Sequence, residues 1–543
     1  MTNKVAYFSM EFAIHPDIPN YAGGLGVLAT DLARSAADLG IPMIGVSLIY
    51  HGSDDRKRAF DPGKFFQKLP ETITIGIEDR QVKIACWKYD IEGKSGFKVP
   101  VYFLDSYLPE NKPWDRDLTR ELYDSNQYTR LCQEAILGIG GVRMLRALGY
   151  NDISVFHMNE GHSSMLSFER LKEENGDLDK VRAKNVFTTH TPIPAGHDRF
   201  SHELVQRVLN EMVPHRVEKL AGHEEFHTTK LALCTSRVAN GVSKRHAEVC
   251  KKMFPQHDFL AITNGVHHRS WVAGPMKKVF NKYLPGWEDN PELLGEALKL
   301  PDKAVLRAHR ESKKVLLDYI NSSPDYLVQS TLDMEEDDYF DAETLTVTFS
   351  RRFVPYKRPL LLFETVNRLR QIGFHKLQII YSGICHPGDS YCNGVMHELK
   401  KLQLELRGQV RLAVFPTRNL NNAALMVAGS DVWLNNPEPP MEACGTSGMK
   451  AAMNGCLNFS SPDGWWLEAI AMDKMAGWEF GCDVSGHDVF DCDAIYSGLK
   501  EVIRVYYKAP DEWIARMKHS IALGAYFNTH RNILEYKEKM WNI

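Results

Sequence analysis

In the stretch EACGTSGMKAAMNG, residues 442–455, a lysine stands among small residues. Thr446 and Ser447 are N-cap candidates and residues 449–453 are strong helix formers, so the pattern predicts a helix whose first turns hold Lys450. Backbone N–H groups at a helix start carry partial positive charge, and an ammonium beside them is electrostatically misplaced. A phosphate at the helix start would offset that charge and account for the small residues, among them Gly448. A Schiff base between Lys450 and an aldehyde would remove or delocalise it. Pyridoxal 5'-phosphate supplies both groups in one molecule. A surface lysine whose stem covers apolar neighbours is the ordinary alternative.

Three further constellations could do chemistry. In FSRRFVPYKRP, the cations Arg351, Arg352, Lys357 and Arg358 follow the strand-like run TLTVTFS, at the edge where open α/β sheets bind ligands. Guanidinium forks suit phosphate oxygens and lysine adds a point charge, so the four together predict an anion site. Histidines cluster in FHMNEGHSS (His157, His162) and FTTHTPIPAGHD (His190, His197), each after an apolar run. Their spacing is not the i, i+4 helical spacing of a zinc site, and no metal is expected. His157 reads as a structural histidine, whereas His190, flanked by hydroxyls and a proline turn, is a site candidate. In NYAGGLGVLATDLA, Gly23, Gly24 and Gly26 precede a helical stretch, which fits either a glycine turn or an anion cradle. Trp465 and Trp466 in DGWW could stack on sugar rings or pack as core.

Strands must position these groups. Apolar, β-branched runs (KVAYFSM, PMIGVSLIY, ISVFHMN, KNVFTTH; then TLTVTFS, KLQIIYSG, VRLAVFP, DVWLNNP) alternate with amphipathic helical stretches, which predicts an α/β fold of doubly wound parallel sheets. The alternation lapses over 276–340, a long helix pattern followed by the acidic run DMEEDDYFDAE. The expected organisation is therefore a first α/β domain over 1–275, a connecting segment over 276–340, a second α/β domain over 341–510 and C-terminal helices over 511–543 packing back across the domains. With 543 residues, Lys+Arg 65 against Asp+Glu 69 and a net charge of -4, the chain offers no electrostatic case for nucleic acid or an anionic membrane. No stretch approaches the roughly 20 apolar residues of a membrane span. Ten cysteines without metal-ligand spacing read as reduced thiols of a soluble cytoplasmic protein.

Taken together, GTSGMKAAMNG resembles the pyridoxal-phosphate lysine motif of the α-glucan phosphorylases. RRFVPYKR is similar to their phosphate-binding segment, YFSMEF with NYAGGLG to their N-terminal strand and glycine loop, and ITNGVHHRSW to their sugar-contacting loop. The resemblance spans about residues 5 to 530 and is greatest to the compact prokaryotic forms. It implies the GT-B glycosyltransferase architecture, two Rossmann-like domains facing a cleft. It also implies that Lys450 carries the cofactor and that Thr446, Ser447, Gly448 and Arg351 hold its phosphate. Arg352 and Lys357 match ligands of substrate phosphate, with the Gly24 backbone N–H as a further donor; Gly24 is also placed with the cofactor and Gly23 beside the substrate. Glu442 matches a sugar-hydroxyl ligand, Asn264 and His190 match groups around the sugar 6-hydroxyl, and Tyr356 and His162 match positions near the sugar and the neighbouring subsite.

Glycosidases generally flank the scissile bond with two carboxylates; here one candidate, Glu442, stands among cations. That mismatch favours phosphate as nucleophile. The family mechanism implies reversible, retaining phosphorolysis of an α-1,4-glucan or maltooligosaccharide by inorganic phosphate to α-glucose 1-phosphate, with the cofactor phosphate as acid/base and a homodimer or larger homo-oligomer as the usual assembly. Two alternatives share the architecture: a nucleotide-sugar glucosyltransferase of the glycogen-synthase type using ADP- or UDP-glucose, and a non-catalytic glucan-binding protein.

Overall fold

The computed structural model describes residues 4–52, 60–323, 338–383, 389–415 and 419–543. The chain forms two compact units, 1–263 with 529–543, and 264–528.

The first unit is built on a nine-stranded sheet. Its strands are β1 (Lys4–Phe8), β2 (Met43–Leu48), β3 (Gln67–Ile77), β4 (Arg80–Glu92), β5 (Lys98–Asp105), β6 (Ile153–Asn159) and β7 (Asn185–Thr188), with β10 (Val238–Gly241) and β11 (Phe259–Ala261). A separate ribbon pairs β8 (Arg199–Phe200) with β9 (Phe226–His227). The sheet order is β11-β10-β7-β6-β1-β2-β5-β4-β3. It is parallel from β11 to β5, while β3 and β4 add an antiparallel meander that sequence alternation alone did not reveal. Strand order reverses direction between β1 and β6, so the C-terminal ends of those two strands mark a topological switch point. Side chains alternate across β1. Ala6 and Phe8 join one core layer, while Val5 and Tyr7 join the other with the helix Gly24–Asp38. Ile533, Tyr536, Met540 and Trp541 of the C-terminal segment complete that second layer.

The second unit carries a six-stranded, all-parallel sheet of β12 (Leu345–Ser350), β13 (Leu377–Ser382), β14 (Arg411–Phe415), β15 (Val432–Asn435), β16 (Leu457–Ser460) and β17 (Gly477–Glu479). Its order, β14-β13-β12-β15-β16-β17, is that of a doubly wound dinucleotide-type sheet, with the switch point between β12 and β15.

Boundaries differ from those read in the sequence. The first unit stops at Thr263, and the helix Asp302–Ser322 belongs to the second unit. Burial causes this. His309 and Lys313 reach Asp431 at the start of β15, with Nε2–Oδ1 at 3.0 Å and Nζ–Oδ2 at 2.6 Å, and Leu316 packs against Gly429. Residues 333–337 of the acidic run lie outside the described residues. The helix Pro510–Ala522 packs in the second unit, and only 529–543 belongs to the first. Among the described residues eight cysteines are free, whereas Cys392 is in a disulfide, a departure from the expected all-thiol state.

Candidate functional site

In the second unit the switch point gathers charge. Arg351 follows β12 directly, and its guanidinium donates to Glu442 Oε2 at 2.6 Å and to Asn435 Oδ1 at the end of β15. The Lys357 ammonium donates to the same Glu442 oxygen. Glu442 N–H in turn donates to Asp463 Oδ2 at 2.7 Å. All of these side chains are buried. Burial would push the Glu442 carboxyl up, but the Arg351 and Lys357 charges override it and hold the group down to about 2. Burial and the neighbouring Arg351 charge lower Lys357 to about 7, with Glu442 opposing. Burial, reinforced by the Glu442 charge, pushes Asp463 up to about 7. Tyr356 is half-buried, and the Lys357 ammonium lies 4.6 Å from its ring centroid.

The four cations of this segment divide into three kinds. Arg351 and Lys357 are paired with Glu442. Arg358, at a left-handed φ of 46°, is spent on structure. Its guanidinium binds Asp491 at 2.6 Å, Asp488 at 2.9 Å and the carbonyls of Asn436 and Pro437 at 3.1 and 2.9 Å. This removes Arg358 from the four cations expected to form an anion site. Arg352 is exposed, and its side chain has no hydrogen-bond or ion-pair partner among the described residues.

Lys450 lies on the short helix Ser447–Ala452 and is 6% exposed, its ammonium 3.9 Å from the centroid of the Trp271 ring. Cation–π attraction and burial replace the surface role that an ordinary lysine would have. Thr446 stands at the N-cap with αR backbone and makes no side-chain cap, so no side chain of the cap residue covers the first-turn N–H groups. Gly448 is required: a Cβ there would lie 2.3 Å from Asn458 Oδ1 and 2.9 Å from the Trp465 ring. A buried primary amine behind an uncapped helix start, in the unit that holds Arg351, fits pyridoxal phosphate. Trp465 and Trp466 are core, 1% and 0% exposed and packed edge-to-face, so DGWW offers no sugar platform. Asn264 is buried in this unit, on a segment whose neighbour Val266 bridges Asn528.

In the first unit the ligand edge is histidine-rich and largely neutral. His190 follows β7. Its Nε2 lies 2.7 Å from Asn159 Oδ1, which assigns the proton to Nε2 and leaves Nδ1 as an acceptor. Burial, then the neighbouring His246, lowers its pKa to about 3. His162 is buried, with Nε2 accepting from Met10 N–H at 3.2 Å, and burial followed by the Arg130 charge lowers it to about 3. His157 is structural as expected: Trp541 Nε1 donates to its Nδ1 at 3.0 Å and its Nε2 meets Thr188 Oγ1 at 2.7 Å. The glycine loop is held from below. Glu11 Oε2 accepts from Ala22 N–H at 2.7 Å and Gly23 N–H at 3.2 Å, and its other oxygen accepts from Tyr123. Gly26 is required because a Cβ would sit 2.7 Å from Glu11 Cβ. The Gly23 N–H is thus occupied, which removes it from the expected ligands. Gly24 opens a helix that has no side-chain cap, and a Cβ there would meet nothing within 4 Å.

Sequence reading missed Glu11, Asp463, Trp271 and Glu160. Glu11 and Glu160 stood inside quoted motifs, beside an apolar strand; their signal was an acidic residue at the exit of a buried strand.

Comparison with known proteins bears on both units. A family model described as carbohydrate phosphorylase matches residues 183–489. One described as starch synthase catalytic domain matches residues 4–260. A maltodextrin phosphorylase of Thermococcus litoralis is 34% identical, covering 99% of this chain and 70% of that protein. A glycogen phosphorylase of Mycobacterium tuberculosis is 33% identical over 98% and 70%, and one of Aquifex aeolicus 31% identical over 99% and 86%.

Proposed function

The chain belongs to the carbohydrate phosphorylase family, and from that premise we propose that it cleaves α-1,4-glucans or maltooligosaccharides with inorganic phosphate, releasing α-glucose 1-phosphate, with Lys450 holding pyridoxal phosphate. The observation that carries this reading is Lys450, buried against Trp271 in the unit whose switch point gathers Arg351, Arg352, Lys357 and Glu442. Thr446, Ser447 and Gly448 would offer backbone N–H groups to the cofactor phosphate, and Arg351 a guanidinium. When bound, the cofactor supplies a second phosphate able to exchange a proton with inorganic phosphate.

This chain's own residues do the rest. Arg352, exposed and unpaired, and Lys357 would bind inorganic phosphate, reducing its repulsion from a neighbouring phosphate. At ~5 Å and an effective dielectric of ~20 that repulsion is roughly 3 kcal/mol per pair of unit charges. Glu442, ionised at neutral pH, would accept from sugar hydroxyls while orienting Arg351 and Lys357. Neutral His190 would accept a sugar hydroxyl at Nδ1, its ring fixed by Asn159. Tyr356, Asn264 and His162 would line the sugar.

The test is phosphate-dependent release of glucose 1-phosphate from a series of maltooligosaccharides, with and without added pyridoxal phosphate. Release that requires both phosphate and cofactor is expected. The starch-synthase match over residues 4–260 motivates a second arm. Consumption of ADP- or UDP-glucose without phosphorolysis would replace this reading with a nucleotide-sugar glucosyltransferase. Sizing of the purified protein checks the expected homodimer or higher oligomer.

A further inference from the structure

At the exit of β6, on the switch point of the first unit, Glu160 has φ 80° and ψ 162°, a conformation rarely adopted by a residue with a side chain. The strain is held by four hydrogen bonds to its carboxylate. Oε2 accepts from His190 N–H at 2.6 Å and Thr191 Oγ1 at 2.9 Å, and Oε1 from Gly161 N–H at 2.9 Å and Thr189 Oγ1 at 3.4 Å. Both oxygens therefore fasten the turn that carries His190. Every donor is neutral, and Glu160 forms no ion pair among the described residues. A half-buried carboxylate without a cation leaves uncompensated negative potential at the ligand edge of a sheet, where fixed charge acts most strongly on a bound ligand.

We infer that Glu160 is the positioning residue of the sugar site: it locks the His190 turn, and its charge favours a sugar ring that is becoming positive over a neutral one. This rests on the phosphorylase reading, since glycosyl transfer through an oxocarbenium-like state creates such a ring. Glu160→Gln keeps the shape but removes the charge and turns an NH₂ toward two donors. Glu160→Asp keeps the charge and shortens the reach.

The experiment compares holoenzymes of wild type and both variants by phosphorolysis kinetics, by binding of the cationic iminosugar 1-deoxynojirimycin against neutral glucose, and by amide exchange over residues 186–192. For Glu160→Gln we expect kcat to fall about 10²- to 10³-fold with glucan KM within about threefold. Iminosugar affinity should drop at least about tenfold more than glucose affinity, and exchange should accelerate in 186–192 alone. Glu160→Asp should recover the iminosugar preference while still exchanging faster. A Glu160→Gln enzyme with wild-type kcat, or one that loses both ligands equally, overturns the inference and leaves the family reading intact. Wild-type holoenzyme without phosphorolysis overturns the family reading instead, and the exchange data still decide whether Glu160 locks the turn.

Discussion

The ligand edges of the two units solve opposite electrostatic problems. In the second unit the strand ends carry Arg351, Lys357 and Glu442 in a buried, mutually paired cluster, with Arg352 left free. In the first unit the strand ends carry His162 and His190, both held neutral by burial, and an acid bonded only to neutral donors. One edge is rich in cations and already satisfies most of its charge internally. The other presents neutral hydrogen-bonding groups and one acid that has no ion-pair partner among the described residues. Similar sheets, each with a reversal of strand order, host these different sites because specificity resides in the residues just past the strands.

The contrast can be broken most completely at Lys450. Lys450→Ala should abolish retention of pyridoxal phosphate through dialysis, read by absorbance, and take phosphorolysis to the detection limit. Next in size, Arg358→Ala should lower stability by about 3–5 kcal/mol in denaturant unfolding, since it strands the buried Asp491. Retained stability would show that Arg358 is not structural.

Acid unfolding comes third. Glu442 titrates at about 2 when folded, below its usual value near 4.5, so its contribution is full above pH 4.5 and lost as pH falls toward 2, about 3 kcal/mol in all. Asp463 acts with the opposite sign. Pushed up to about 7, it keeps its proton in the folded state between about pH 4 and 7, so stability falls as pH rises through that window. Glu442→Gln should flatten the acid limb of a stability–pH curve and Asp463→Asn the neutral limb.

Arg352→Ala should leave melting unchanged and cut kcat/KM for phosphate about 10²-fold, separating the free cation from the structural one. The smallest effect belongs to the first unit. Trp541→Phe keeps most of the packing but leaves His157 Nδ1 without its donor, at about 1–2 kcal/mol, with catalysis unaltered.

Much of the scaffold was legible in the chain. The eight β-branched runs are strands in the structure because a buried parallel strand is written as a continuous apolar segment. The meander of β3 to β5 was not seen, since β3 is an edge strand whose mixed burial breaks the pattern. The helix Asp302–Ser322 fell in the expected connecting segment because the strand alternation lapses there and an acidic run follows. Its buried Lys313 is indistinguishable from a surface lysine until Asp431, 118 positions away, is brought to it. The lysine motif was readable for a different reason: a helix of small residues around one amine is unusual in local sequence.

What the sequence alone determined, then, is whatever depends on neighbours within a few residues: strand and helix periodicity, the glycines that admit close approach, and the inventory of cations after β12. Tertiary structure decided how those charges are used. Arg352 and Arg358 stand six positions apart in one loop, yet one is free and the other is consumed by Asp488 and Asp491, which lie 130 and 133 residues further on. Ion pairing follows distance in space and the dielectric around it, and neither is encoded in spacing along the chain.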